Sequence, residues 1–240
     1  MARVTVTGAA AQAAGLAAER LADAVSLARA EGRTAHLSLA GGRTPAATYE
    51  RLANLIDDWG GIELWLGDER MVAPDAPDSN YRMLSETLLA RTGAVAHPVP
   101  TAGSAEQAAE RYGSLLSERV PAGRDGAPSL DFALLGLGED GHTASLFPRA
   151  PTLDAAAGLV CVAVHNAPKP PPDRVTLTLE ALRAARGSAI LAVGRGKAAP
   201  AAAAIRGPSP DVPASLLADG PLELILDADA ASDIPAEART

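Results

Sequence analysis

A short apolar run joined directly to a glycine-rich polar loop occupies residues 131–148, and it restricts the choice of fold more than any other segment. The run at 132–135 is typical of a strand buried in a parallel sheet. His142 ends the loop, and a histidine can exchange a proton near neutral pH. The glycines before it let the backbone turn sharply and approach a ligand closely. The segment therefore predicts a strand whose carboxyl-end loop presents His142 for catalysis.

Strand and helix patterns alternate along the rest of the chain. Apolar or alternating segments typical of strands recur at 3–7, 34–40, 62–66, 159–165, 174–179, 188–193 and 222–227. Amphipathic stretches, the longest at 9–31, separate many of them. This alternation predicts an α/β fold with a mainly parallel sheet flanked by helices on both faces. Because no repeat or linker divides the chain, we expect one α/β domain over 1–228 and a flexible C-terminal tail over 229–240.

The composition excludes several classes of function. A formal charge of −8 at pH 7 argues against nucleic acid as a partner, because proteins that bind it usually carry a basic surface. Cys161, the one cysteine, lies in an apolar segment and is expected in the core. No apolar run has the length of a membrane span, and the N-terminal residues have the pattern of a strand rather than a signal peptide. We therefore expect a cytoplasmic protein without a membrane partner.

Polar loops after the predicted strands should meet at one edge of the sheet, where ligands bind in such folds. These loops are at 41–44, 67–70, 136–142 and 194–197.

The loop of Gly41, Gly42, Arg43 and Thr44 opens a predicted helix, with Thr44 as its expected N-cap. Free backbone N–H groups at a helix N-terminus favour an anion such as phosphate. Arg43 adds positive charge, although an ordinary strand-to-helix turn would have the same pattern. Lys197 begins another predicted helix, where a cation is mildly unfavourable unless an anion is bound. Both loops are thus candidates for binding phosphate.

Asp68 and Arg70 follow the strand at 62–66. In extended chain, alternate side chains point the same way, so a carboxylate and a guanidinium could share one pocket. The arginine could hold an oxyanion with two hydrogen bonds, and the aspartate could orient a water molecule or a histidine. A solvated run of charges is the alternative interpretation.

The central loop contains the pattern G-x-G-x-x-G, which also occurs in dinucleotide-binding proteins. A dinucleotide site needs a long helix after this pattern and an acid about twenty residues on. Here Pro148 ends the next segment early, and residue 161 is a cysteine. Glu139 and Asp140 within the loop would also repel a pyrophosphate. We therefore expect no nucleotide cofactor, and we interpret Asp140 as a neighbour of His142.

Together these stretches resemble the 6-phosphogluconolactonase family, within a larger group that includes glucosamine-6-phosphate deaminases. The matching segments occur in family order at 41–45, 68–70, 79–82, 136–148, 174–179 and 196–197. The resemblance implies a Rossmann-like three-layer fold similar to that of the deaminases. In the deaminases the central loop continues after the histidine as Ile-Ala-Phe-Asn-Glu, and that glutamate serves in isomerisation. Phe147 takes its place here, and Arg70 stands where the deaminases have tyrosine, so the lactonase activity is favoured.

The implied reaction is hydrolysis of 6-phospho-D-glucono-1,5-lactone in the oxidative pentose phosphate pathway. The chain has neither the G-x-S-x-G pattern of a serine nucleophile nor the H-E-x-x-H pattern of a metal site, so we expect no covalent intermediate and no metal. His142 would activate water, with Asp68 or Asp140 orienting it and Arg70 stabilising the oxyanion. The expected ligands of the phosphate and the neighbouring hydroxyls are Gly41, Gly42, Arg43, Thr44, Arg174 and Lys197.

Other functions stay open at this point. They are an amino-sugar-phosphate deaminase or isomerase, a nucleotide-binding oxidoreductase and a non-catalytic sugar-phosphate-binding protein. No coiled-coil pattern or long apolar edge stands out, so we expect a monomer or a weak homodimer.

Overall fold

The computed structural model describes residues 2–123 and 126–239, except for the side chain of Arg43. The strands are β1 Arg3–Thr7, β2 Ala35–Leu39, β3 Ile62–Leu66, β4 Asp68–Arg70, β5 Val95–Ala96, β6 Phe132–Gly136, β7 Cys161–Val164, β8 Arg174–Leu177, β9 Ser188–Ala192 and β10 Leu222–Asp227. The α-helices are α1 Ala10–Ala30, α2 Arg43–Leu55, α3 Asn80–Leu84, α4 Ala90–Thr92, α5 Ala105–Arg119, α6 Leu179–Arg183 and α7 Ala198–Ala204. A π-helical turn, Ser85–Leu89, joins α3 to α4.

Within these ranges, the main sheet has seven parallel strands in the order β1-β10-β9-β6-β2-β3-β5. Every residue of β2, β9 and β10 is buried, which is typical of parallel strands covered by helices on both faces. Helix α1 packs across β10, β9, β6 and β2, and α2 packs beside it. The predicted α/β fold class is confirmed.

The strand order creates a crevice between β2 and β6. From β2 the chain proceeds to β3 on one side, whereas from β6 it proceeds to β9 on the other. The loops that leave these two adjacent strands therefore diverge, and ligands bind in such sheets at this point. The loops after β3 and β9 flank the crevice.

A second sheet, which the sequence patterns did not predict, consists of β4, β8 and β7 in antiparallel order. Strand β4 follows β3 after Gly67 and pairs with β8, so that Asp68 lies opposite Thr176 and Arg70 opposite Arg174. Helix α5 packs against β7 and β8. This small sheet brings charged side chains from distant parts of the sequence to the rim of the crevice.

The segment predicted as a flexible tail packs against the core where it begins: Ala230, Ala231 and Ile234 are buried, and the Asp227 carboxylate accepts the Ala230 N–H at 2.9 Å. The predicted N-cap at Thr44 is wrong. Helix α2 begins one residue before Thr44, with Gly42 as its N-cap. Gly42 has a φ of 102°, a conformation that favours glycine and sets the helix boundary there.

Candidate active site

A pocket of about 180 Å³ opens at the carboxyl ends of the parallel strands. Both sheets contribute to its wall, and so do all four polar loops. Its predicted site residues are Gly41, Gly42, Thr44, Asp68, Arg70, His142, Arg174 and Lys197. Asp140 is not part of the wall but contacts His142, and the predicted role of the Arg43 side chain lies outside the described residues. The sheet topology thus gathers most of the predicted set in one place.

His142 is held by Asp140, two residues before it. Its ring Nδ1 lies 2.5 Å from Asp140 Oδ1, and its backbone N–H donates to the same oxygen at 3.2 Å. In the described part of the chain, Nε2 of this ring has no hydrogen-bond partner. A carboxylate can only accept, so the proton of the neutral ring resides on Nδ1 and Nε2 keeps its lone pair. The contact therefore leaves Nε2 as a base.

Burial of Asp140 opposes its ionisation, but the hydrogen bond and charge of His142 outweigh this effect and lower the pKa of the carboxyl. The carboxylate is 41% exposed, so solvent screens the pair and its net energy is modest. Its clearest effect is geometric, because it fixes both the orientation and the tautomer of the ring.

The absence of a side chain at Gly138 leaves room for the contact between His142 and Asp140. A Cβ atom on Gly138 would lie 2.0 Å from His142 Nδ1 and 2.5 Å from Asp140 Oδ1. Any side chain would therefore displace the pair. This glycine of the G-x-G-x-x-G pattern permits a close approach of the imidazole rather than of a pyrophosphate.

Asp68 is held by groups other than His142. Its Oδ2 accepts the Ser145 hydroxyl at 2.6 Å, and its Oδ1 accepts Asn80 Nδ2 at 3.3 Å. The Ser145 hydroxyl also accepts Arg174 Nη1 at 3.3 Å, so it bridges opposite charges from β4 and β8. Between the two carboxylates left open by the sequence, Asp140 is the one that contacts the imidazole.

Sequence reasoning assigned no role to Ser145 or Asn80. Both are buried, and a Cβ on Gly41 would lie 1.8 Å from Asn80 Oδ1. Both residues lie in segments that resemble the family, which could have indicated a role in the site. Small polar residues are common in loops, however, and only the contacts in the structure distinguish these two from the others.

Glu69 is a further buried carboxylate and points away from the pocket. It accepts the backbone N–H groups of Arg70, Asn80 and Tyr81 at 2.8 Å each and the Ser79 hydroxyl at 3.0 Å. Burial raises its pKa, although these four hydrogen bonds oppose the shift. Glu69 thereby fixes the start of α3 to β4, between the two pocket residues Asp68 and Arg70.

Arg70 and Arg174 form a pair of like charges. They are directly opposite each other in the antiparallel register, where like charges are destabilising, and both line the pocket. Burial, and then the charge of Arg70, lower the pKa of Arg174. Nε of Arg70 is buried and has no hydrogen-bond partner among the described residues. An anion in the pocket would offset the repulsion between the two guanidinium groups.

Phe147 forms an apolar wall next to these groups. Its ring lies 4.8 Å from the His142 ring and 5.5 Å from the Arg174 guanidinium carbon, and it is 5% exposed. The side chain at this position is thus in contact with both the imidazole and a cation, yet it can neither accept nor donate a proton.

The two loops predicted to bind phosphate each turn at a glycine. Gly42 and Gly194 both have positive φ angles, of 102° and 87°, and each lies before a helical turn that contributes to the pocket. The Asp227 carboxylate accepts the Gly194 N–H at 2.9 Å and so fixes the turn that leads to Lys197. Lys197 lines the pocket together with the N-terminal residues of α2.

No group of three or more His, Cys, Asp or Glu side chains among the described residues has a metal-binding arrangement. None of the helices in the described part of the chain combines the length and apolar character that a membrane crossing requires.

Comparison with known proteins gives a consistent result. Residues 8–226 match the family described as glucosamine-6-phosphate isomerases/6-phosphogluconolactonase. The 6-phosphogluconolactonase of Mycobacterium tuberculosis is 36% identical over 231 residues, 91% of this chain and 93% of that protein. The enzyme of the same name from Streptomyces coelicolor is 37% identical, over 80% of this chain and 78% of its own length.

Solved structures are also similar. The 6-phosphogluconolactonase of Trypanosoma brucei superposes with a TM-score of 0.87 at 27% identity, over 98% of this chain and 99% of that one. A monomeric glucosamine-6-phosphate deaminase superposes with a TM-score of 0.82 at 21% identity, over 96% and 99%, which shows a shared fold alone.

Proposed function

The chain belongs to the family of glucosamine-6-phosphate isomerases and 6-phosphogluconolactonases, and we propose that it hydrolyses 6-phospho-D-glucono-1,5-lactone to 6-phospho-D-gluconate. The observation that most directly supports this proposal is the oriented His142–Asp140 pair in a pocket that two arginines and a lysine also line. Lactonase relatives that align over most of the chain support the substrate. The pathway is then the oxidative pentose phosphate pathway, as the sequence resemblance implied.

His142 acts as the general base in this proposal. Nε2 takes a proton from a water molecule while the water oxygen bonds to the lactone carbonyl carbon, C1. The tetrahedral intermediate then expels the ring oxygen, and the imidazolium returns the proton to that oxygen. The C1–ring oxygen bond breaks, and the product is the open-chain acid. Asp140 keeps the ring oriented throughout and stabilises its positive charge while Nε2 holds the extra proton.

Different charged side chains bind the different anionic parts of the substrate. Arg70 lies on β4 and lines the pocket, where its guanidinium stabilises the oxyanion that develops on the carbonyl. Lys197, Arg174 and the N-terminal turn of α2 bind the 6-phosphate and the neighbouring hydroxyls. Asp68 lies on the pocket wall and accepts hydrogen bonds from sugar hydroxyls.

An isomerase or deaminase function is less well supported by this site. Isomerisation moves protons between adjacent carbons and needs an acid near the histidine. Phe147 occupies that position and packs on the His142 ring. Release of ammonia from glucosamine 6-phosphate would show that this reasoning is wrong.

A coupled assay tests the function directly. Glucose-6-phosphate dehydrogenase generates the lactone, and its decay is followed with and without the protein, because the lactone also hydrolyses spontaneously. His142→Ala should lower kcat about 10²–10⁴-fold and leave KM nearly unchanged. The matched control is His97→Ala, which removes a histidine that packs on Trp65, outside the pocket lining. A wild-type protein that does not accelerate lactone decay would exclude the proposed function.

The phosphate assignment has its own test. Lys197→Ala should chiefly raise KM for the phosphorylated lactone, and an equal loss on glucono-1,5-lactone without phosphate would contradict it. The cytoplasmic location and the monomeric or weakly dimeric state stay predictions.

A further inference from the structure

Arg174 is held in place largely by a neighbouring segment of backbone. Its Nη2 donates to the Lys169 carbonyl at 2.7 Å, and its Nε donates to the Pro171 carbonyl at 3.1 Å. A third donor, Nη1, bonds to Ser145. An arginine has five N–H groups, so these contacts fix the plane of the guanidinium and leave two N–H groups for a ligand.

Both carbonyls belong to residues 165–173, which we call the strap. The strap joins the end of β7 to the start of β8 and therefore connects directly to Arg174. Its base is closed by His165, whose Nδ1 lies 2.8 Å from Asp173 Oδ1. Further into the strap, the Ala167 N–H donates to the Pro172 carbonyl at 2.9 Å and so joins its two sides a second time. Lys169 and Pro171, which supply the two carbonyls, lie within the loop that these two contacts close.

His165 also connects the strap to α5. Its Nε2 lies 2.7 Å from Glu106 Oε1 in the first turn of that helix. Carboxylates accept but do not donate, so both ring nitrogens must carry a proton to make both bonds. The hydrogen bonds with Asp173 and then Glu106 raise the pKa of His165, and these are the charged groups that act on the ring in the described part of the chain.

We propose that His165 is a positioning residue for substrate binding, which acts by closing the strap that orients Arg174. The proposal rests on the proposed function, because it requires Arg174 to contact the substrate. His165 itself lies outside the pocket and is 48% exposed on its side chain. When the base of the strap opens, the guanidinium loses two of its three fixed acceptors. The substrate must then order the side chain as it binds, and affinity falls.

The test compares three variants with the wild type in the lactone-decay assay. His165→Ala should raise KM about 3- to 10-fold, which corresponds to the loss of roughly one hydrogen bond, with kcat within about twofold. His165→Arg should restore KM, because a guanidinium can donate to both carboxylates. Glu86→Ala is the control, since it removes another exposed ion pair, Arg82–Glu86, away from the strap; its KM should equal that of the wild type.

Thermal melting of each variant accompanies the kinetics, so that a folding defect is visible. An unchanged KM in His165→Ala would overturn the proposal. So would a parallel fall in kcat and kcat/KM with a lowered Tm, which indicates general damage. A His165→Arg variant that behaves like His165→Ala would show that pairing with the two carboxylates is not what holds the strap. Absence of lactonase activity in the wild type, by contrast, overturns the proposed function itself.

Discussion

Replacing Gly138 by alanine should disable the site while leaving the fold intact. The added Cβ would lie 2.0 Å from His142 Nδ1, 2.3 Å from Cε1 of the same ring and 2.5 Å from Asp140 Oδ1. Gly138 is not among the described glycines with positive φ, so its backbone conformation accommodates an alanine. The perturbation is therefore a steric clash with the imidazole rather than a strained turn.

The expected magnitude follows from these distances. Real Cβ contacts are almost never shorter than 3.0 Å, so the ring must move by at least 1 Å from its present position. A misplacement of about 1 Å in a reacting group can cost about 10²-fold in rate. We expect kcat to fall by about 10²-fold or more. KM should change little, because the groups assigned to the phosphate are not displaced.

The lactone-decay assay measures kcat and KM, and thermal melting reports the fold. Gly113→Ala is the matched control. Its Cβ would make ordinary contacts of 3.5–3.7 Å with Val160 and Cys161, which lie outside the pocket lining. This variant should keep wild-type kinetics. A Gly138→Ala enzyme with kcat within about threefold of the wild type would refute the assignment of the observed His142 geometry to catalysis.

Three further perturbations test separate parts of the structure. Asp140→Asn should lower kcat about 10- to 10²-fold in the same assay, because an amide that donates to Nδ1 favours the tautomer with its proton on Nε2; a wild-type kcat would contradict this. Glu69→Gln should lower the free energy of unfolding by about 2 kcal/mol in urea titration, since the amide nitrogen then faces backbone donors; unchanged stability would exclude the anchoring role. His165 has a raised pKa, so its contribution to stability is complete below its unfolded pKa and is lost as pH rises through the folded pKa. The difference in Tm between wild type and His165→Ala should therefore shrink as pH is raised from 6 to 9, and a constant difference would argue against a charged ring.

The parallel core could be predicted because its signals are local. Apolar runs, loop glycines and helix periodicity recur in regular order, and the sheet rule then brings the four loops together. The capping box of Ser104 and Gln107 at the start of α5 is a signal of this local kind, because its two residues are three positions apart.

The small sheet could not be predicted, for a physical reason. Strand β4 has only three residues, and its pairing with β8 joins positions about a hundred residues apart, so no sequence window contains the information. The same holds for the contact of Asp68 with Ser145. In contrast, the pairing of Asp140 with His142 is local but depends on the loop conformation, which is why the sequence left two carboxylates open.

In the proposed mechanism, proton transfer depends on the parallel sheet alone, whereas substrate binding draws on both sheets, and this has an evolutionary consequence. The proposed base and its carboxylate lie on a loop of the parallel sheet, whereas Asp68, Arg70 and Arg174 lie on the antiparallel one. A substitution on the small sheet can change the shape and charge presented to a sugar without altering the loop that holds the imidazole. Relatives that keep the same base but act on a different sugar would therefore be expected to differ at Asp68 or Arg174 of the small sheet.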